Sequence, residues 1–179
     1  MLESKKPGLL IDIYELLEKN RIGSLVIHFV GDGDYLDILK YRVKQKGLEH
    51  GIKFYGAIHD DSKTGEMLFC SDLMVMPGYI GLSLNHAFNF DCPVVTFQQK
   101  ENGPYHSPEI EYLIHERTGY IIDNHSVEDM YEVIRNYLVN KGLQQQMRMN
   151  VRYTIDNVCS IENFMKGFKD AIQYTIQNV

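Results

Sequence analysis

Residues 24–33 read SLVIHFVGDG: an apolar run, interrupted only by His28, that stops at Gly31-Asp32-Gly33. A run this short and this continuously apolar suits a strand covered on both faces of a parallel sheet. Upstream, Leu9, Ile13, Leu16 and Leu17 recur at helical spacing after Pro7, and Gly23 lies beyond Asn20. That pattern predicts an amphipathic helix over 7–20. Downstream, Leu36, Leu39 and Val43 restore the helical period as far as Gly47.

The same switch of period repeats along the chain. Strands are expected at 52–55, 72–76 (DLMVM, broken by Pro77-Gly78), 93–97 (PVVTF) and 119–122. Helices are expected at 62–70, weakened by Gly65, and at 82–90, with a polar loop at 98–107 and a short helix at 107–114. Ser126 and Asp129 resemble a capping box, with Asp in place of the usual Glu. They open a helix carrying Met130, Ile134, Tyr137 and Leu138, and a closing helix carries Phe164, Phe168, Ile172 and Ile176. Strands alternating with helices imply βαβ units, hence an α/β fold of Rossmann-like, three-layer α/β/α type with a mainly parallel sheet. No repeat, low-complexity tract or linker divides the 179 residues, so one domain over 1–179 is expected.

Composition excludes several functions. The formal net charge is −6, and no Lys/Arg block is longer than two residues, so a nucleic-acid phosphate track is not expected. No apolar stretch approaches the length of a bilayer span. The opening MLESKKPG has no apolar core, which argues against a secretory signal and for the cytoplasm. Cys70, Cys92 and Cys159 are widely spaced and read as reduced core thiols, not as a disulfide framework or a zinc site. No metal site is expected: Asp32 and Asp34 flank Gly33 in a turn, and Asp60-Asp61 reads as a solvated loop.

Ligands of open α/β sheets bind beyond the carboxyl ends of the strands. Three loops qualify. Gly31-Asp32-Gly33 fails as a dinucleotide fingerprint because position 36 is Leu. Pro77-Gly78-Tyr79-Ile80-Gly81 leads into a helix, and its glycines let backbone amides approach an anion. The polar loop 98–107 is long for a compact domain, and such loops are often functional.

Several segments stand in a recognisable order. They are Lys5-Lys6-Pro7-Gly8-Leu9-Leu10-Ile11, Val30-Gly31-Asp32-Gly33, Phe54-Tyr55-Gly56, Ser71-Asp72 through Pro77, PGYIGLSLNHAFNFDCPVV over 77–95, and Thr118-Gly119-Tyr120-Ile121-Ile122. This series resembles the C-terminal, nucleotide-sugar-binding half of the family 4 retaining glycosyltransferases, which are built from two Rossmann-like domains (the GT-B fold). The resemblance implies that Lys5, or Lys6 if the register slips by one, contacts the diphosphate of a nucleotide-sugar. It implies that Gly81 and Leu82 present their backbone to the same diphosphate, and that Gly56, Ala57 and Ile58 hold the nucleobase. A lysine there would meet the negative charge that develops on the departing diphosphate.

The departures concern two glutamates of the family, which fall on Gly78 and His86. Gly78 stands at the sugar-binding position, where a glycine cannot hold hydroxyls through a side chain. His86 stands at the ribose position and could accept a hydrogen bond through a neutral ring nitrogen. Its P-G-x-x-G-L-x-x-x-H context resembles a subset of the family. Glu109 and Glu111 are candidates to supply the missing sugar contact, although acids also suit an exposed helix start. Two lysines near a terminus equally suit a solvated helix start.

The resemblance therefore implies a metal-independent transferase without a cofactor, using a nucleotide-sugar and a carbohydrate or lipid-linked acceptor in polysaccharide or lipopolysaccharide assembly. The acceptor would bind an N-terminal domain outside this chain, so the isolated chain is expected not to transfer sugar. The family's opening strand and its Gly-Arg pair would precede Met1. The full enzyme would be cytoplasmic, at the membrane periphery. Two other readings stand beside it: a non-catalytic Rossmann-like module binding a nucleotide or a protein, which the lost glutamates favour, and a nucleotide-sugar epimerase of the same architecture.

Overall fold

A computed structural model describes residues 2–178. Strands β1 (Ile27–Phe29), β2 (Ile52–Phe54), β3 (Met74–Val75), β4 (Val94–Phe97) and β5 (Gly119–Ile122) alternate with helices. The helices are α1 (Leu9–Lys19), α2 (Leu36–Lys46), α3 (Asp61–Cys70), α4 (Ser83–Asn89), α5 (Val127–Val139), α6 (Lys141–Asn157) and α7 (Ile161–Gln177). Short 3-10 turns lie at Glu3–Lys5 and Pro108–Tyr112. All strand pairs are parallel, as βαβ connections require.

The expected single sheet is in fact two. β1 pairs with β2, Ile27 opposite Ile52 and Phe29 opposite Phe54. β4 pairs with both β3 and β5, Val94 opposite Met74 and Gly119. No ladder joins the two half-sheets among the described residues. One apolar core does, gathering Phe29 and Ile52 from the first half with Val95, Phe97 and Ile122 from the second. Every residue of β4 is buried, as a central strand's should be. The first half-sheet departs from the expectation of two covered faces: Val26, His28, Lys53 and Tyr55 are exposed, while Phe29 and Phe54 stack on the core side with centroids 5.0 Å apart.

Helix boundaries follow local chemistry. Ser126 Oγ accepts from the Asp129 amide at 3.0 Å, so the predicted cap forms. Asp60 and Asp61 are solvent-exposed, but they do not lie in a plain loop: Asp61 opens α3, and the Asp60 carboxylate caps it, accepting from the Ser62 and Lys63 amides. The short helix after the polar loop is a 3-10 turn, tighter than an α-helix.

The sequence pattern gave no sign of α6. Its buried face is Gln144, Met147, Val151 and Thr154, so half of it is polar and apolar counting misses it. Gln144 donates to the carbonyls of Tyr137 and Leu138 at 3.0 and 2.9 Å, closing the end of α5. Arg148 donates to the carbonyls of Ser71 and Phe69, each at 2.8 Å, closing the end of α3. The stripe of α7 is present but buries nothing: Phe164, Phe168, Ile172 and Ile176 are all exposed. Amphipathic spacing predicts a face that wants covering, and α7 meets no partner within the described residues. Of the thiols only Cys92 is in the core; Cys70 is exposed and Cys159 half-buried.

Candidate functional site

The carboxyl end of β3 runs into the loop 77–82, which receives the N-terminal segment, and that of neighbouring β4 runs into the loop 98–107. Arg42 fixes that segment from below, donating to the Gly8 carbonyl at 3.3 Å and to the Asp12 carboxylate at 2.9 Å. Lys6 adopts the left-handed conformation (φ 49°), ending the first 3-10 turn. The last carbonyls of that turn are then capped across the chain: the Gly78 amide donates to Lys5 O at 3.1 Å and the Tyr79 amide to Ser4 O at 3.2 Å.

Both lysines end up over aromatic rings at this edge. Lys5 Nζ lies 5.3 Å from the Tyr79 ring centroid and 3.5 Å from the Tyr79 carbonyl oxygen. Lys6 Nζ lies 5.9 Å from the Phe97 centroid. Neither ammonium pairs with a carboxylate among the described residues. The structure thus brings Lys5, Lys6, Gly78, Gly81 and Leu82 to one place.

Within the loop the amides divide into two groups. Those of Gly78, Tyr79 and Ile80 are spent on protein acceptors, Ile80 on His106 Nδ1 at 3.3 Å. Those of Gly81 and Leu82 find no acceptor among the described residues. Gly81 is buried, and a Cβ there would press on the Tyr79 and Ser107 hydroxyls at 2.9 and 3.1 Å. The Leu82 side chain is exposed.

The remaining candidates scatter. Gly56, Ala57 and Ile58 follow β2 on the other half-sheet, where Gly56 takes a positive φ of 67° and its carbonyl accepts from the Gly31 amide at 2.7 Å. His86 lies one turn into α4 with its ring edge-on to Phe90, centroids 5.6 Å apart. Phe90 in turn rests on Gly65 of α3. Glu109 and Glu111 share the turn Pro108–Tyr112 but differ in setting. Glu109 Oε2 is buried with no hydrogen-bond partner, whereas Glu111 is exposed. Ser83 Oγ and Asn85 Oδ1 on α4 are also buried and unpartnered.

Among the described residues no three His, Cys, Asp or Glu side chains gather as a metal-holding group, and no helix is long and apolar enough to cross a membrane. Two shallow grooves, one along α6 beside Arg148 and Arg152 and one between Tyr14 and His50, include no residue of this loop.

Sequence reading missed Tyr79, Phe97, His106 and Ser107. Tyr79 and Ser107 join hydroxyls across the site, and the Ser107 amide donates to Ile80 O at 3.0 Å. His106 sits at the end of the long loop 98–107, whose length was the available signal; nothing in its spacing singled out the histidine.

Comparison with known proteins gives a consistent picture. The profile of the family described as glycosyl transferases group 1 matches residues 1–154. A poly(ribitol-phosphate) alpha-N-acetylglucosaminyltransferase of Staphylococcus aureus is 27% identical over 169 residues, covering 93% of this chain and 32% of that protein. The crystal structure of a mutant S. aureus TarM in complex with fondaparinux, alpha-GlcNAc-glycerol and UDP superposes with a TM-score of 0.78 at 25% identity, covering 95% of this chain and 33% of that one. The C-terminal domain of a group 1 glycosyl transferase, LpcC, from Francisella tularensis gives a TM-score of 0.72 at 20% identity, covering 90% of this chain and 83% of that one. The chain therefore spans about a third of the length of the first two proteins it matches.

Proposed function

This chain belongs to the glycosyl transferases group 1 family, and from that membership we propose that it forms the nucleotide-sugar-binding domain of a retaining transferase. The observation that carries the reading is that Lys5 and Lys6, whose ammonium groups lie over Tyr79 and Phe97 with no carboxylate partner among the described residues, belong to a segment hydrogen-bonded to the loop whose Gly81 and Leu82 amides find no acceptor there. A diphosphate seated there gains two cations and two fixed amide dipoles. As the glycosyl bond breaks, negative charge grows on the departing diphosphate, and preorganised donors stabilise that state more than the ground state. In this reading Lys5 is the principal cation and Lys6 the second.

The nucleoside would lie toward Gly56, Ala57 and Ile58, with His86 toward the ribose. Glu109, whose buried Oε2 lacks a partner, takes the place of the sugar contact that Gly78 cannot make. Glu111, exposed, is the weaker candidate. Uridine is the first base to test, because the S. aureus relative was crystallised with UDP. We read the transfer as metal-independent, with Lys5 and the amides carrying the charge. The acceptor, carbohydrate or lipid-linked, would bind a part of the enzyme outside the matched third, in the cytoplasm.

Calorimetric titration of the chain with UDP, GDP, ADP and dTDP tests this. Saturable binding of one diphosphate, weakened about ten-fold in Lys5→Ala, is expected for loss of one charge-assisted hydrogen bond. A second reading, a non-catalytic module, is favoured by Gly78, where no side chain of any kind fits against Ser4 and Lys5. Silence toward all four nucleotides, repeated with a chain extended upstream, would support that module and overturn the first reading.

A further inference from the structure

We propose that His106 is a positioning residue for the diphosphate loop, held as the neutral imidazole with its proton on Nε2. Its two ring nitrogens have partners of opposite kind. Nε2 lies 2.8 Å from the Phe97 carbonyl oxygen, which can only accept, so Nε2 carries a proton. Nδ1 lies 3.3 Å from the Ile80 amide nitrogen, which can only donate, so Nδ1 carries none. An imidazolium would leave the Ile80 bond unmade, and the other tautomer would leave both unmade. The ring is itself anchored: the His106 amide donates to Gln99 Oε1 at 3.0 Å, and the adjoining Ser107 amide donates to the Ile80 carbonyl at 3.0 Å.

Ile80 is thereby gripped at both its amide and its carbonyl by consecutive residues, 106 and 107, and its side chain is fully buried. The next two residues are Gly81 and Leu82, whose amides are unspent. His106 thus ties the end of β4 to the peptide that aims those two amides. Thr96 adds a second tie from the same strand, donating to Met76 O at 2.7 Å at the other end of the loop. The Nδ1 bond sets the loop, while the Nε2 bond sets the ring. The role in ligand affinity rests on the nucleotide-sugar reading above; the tautomer does not.

The test separates the two bonds. In His106→Asn the side-chain oxygen can stand in for Nδ1 and keep the Ile80 bond. In His106→Gln the side-chain amide can stand in for Nε2 and keep only the Phe97 bond. His106→Ala keeps neither. With all variants confirmed folded by circular dichroism, UDP affinity is expected to fall about ten-fold in Ala and Gln and to stay within about three-fold of wild type in Asn. Nitrogen-15 NMR of the wild type is expected to show a protonated Nε2 and a bare Nδ1 at neutral pH, with the Ile80 amide slow to exchange and faster in Ala and Gln. UDP affinity equal in wild type and His106→Ala, or a proton on Nδ1, would overturn the proposal and leave the nucleotide-sugar reading standing. A wild-type chain silent to every nucleotide, also when extended upstream, would overturn that reading and the affinity role with it, while the NMR result still judges the tautomer.

Discussion

Gly78 and Ser4 stand so close that a Cβ at position 78 would overlap the Ser4 carbonyl oxygen. The glycine at the position where the family resemblance expects a glutamate is therefore required by the backbone of the N-terminal segment. The two peptides are also hydrogen-bonded, so the approach is specific and not incidental contact.

Gly78→Ala is expected to push the segment 4–6 off the loop, destabilising the chain by about 1–3 kcal/mol in a urea titration. Nucleotide affinity should fall with it, since Lys5 and Lys6 travel on that segment. Gly78→Glu should weaken binding too. If it tightened binding, the close packing would not hold in solution.

Gln144 uses its whole amide inside the protein, donating to Tyr137 O and Leu138 O and accepting from Lys141 Nζ at 3.0 Å. Gln144→Leu keeps the volume but strips the Leu138 carbonyl of this donor. A loss of about 1–3 kcal/mol is expected by chemical denaturation, with nucleotide binding unchanged in the folded protein. A neutral outcome would mean that water replaces the amide.

His50 is hydrogen-bonded to Glu18, which raises the pKa of the imidazole, despite smaller opposing contributions from desolvation and Lys53. A folded-state pKa above the unfolded one adds stability that is complete below the unfolded value and fades as pH rises through the folded value. The melting temperature is therefore expected to decline slightly between about pH 6 and pH 8, and His50→Gln should flatten that slope. An unchanged slope in His50→Gln would assign it to other groups.

The three thiols should separate by reactivity. Burial pushes the Cys92 thiol up to about 12, and burial also raises that of Cys159. Only the thiolate attacks, so a thiol-specific reagent is expected to label exposed Cys70 first, Cys159 more slowly, and Cys92 only on unfolding. Labelling of Cys92 in the native protein would show that its side of the core opens readily.

Much of the fold was legible because its central elements are nearly pure in one period. The strand at 119–122 and the Ser126 cap stand where the sequence put them, since each rests on a local rule. α6 was not legible because Gln144 and Thr154 share its inward face, and no apolar rule counts a buried amide. α7 was legible as a helix, yet its stripe said nothing of what would cover it. In the site, Lys5, Lys6 and Gly81 came from an ordered motif. His106 did not, because its role depends on two backbone groups, Phe97 O and Ile80 N, that only the folded chain brings within reach.

Among the described residues no backbone ladder joins the half-sheets β1–β2 and β3–β4–β5, which share an apolar core, and that has a mechanical consequence. Ladders of backbone hydrogen bonds resist sliding, whereas an apolar seam yields by changes of rotamer. Backbone bonds therefore oppose sliding inside each half, while across the seam between Phe29 and Phe97 only side-chain packing does so among the described residues. Gly56 rides on one side of that seam and Gly81 on the other. A ligand long enough to touch both would act as a spacer, its own length fixing a gap that the backbone leaves adjustable.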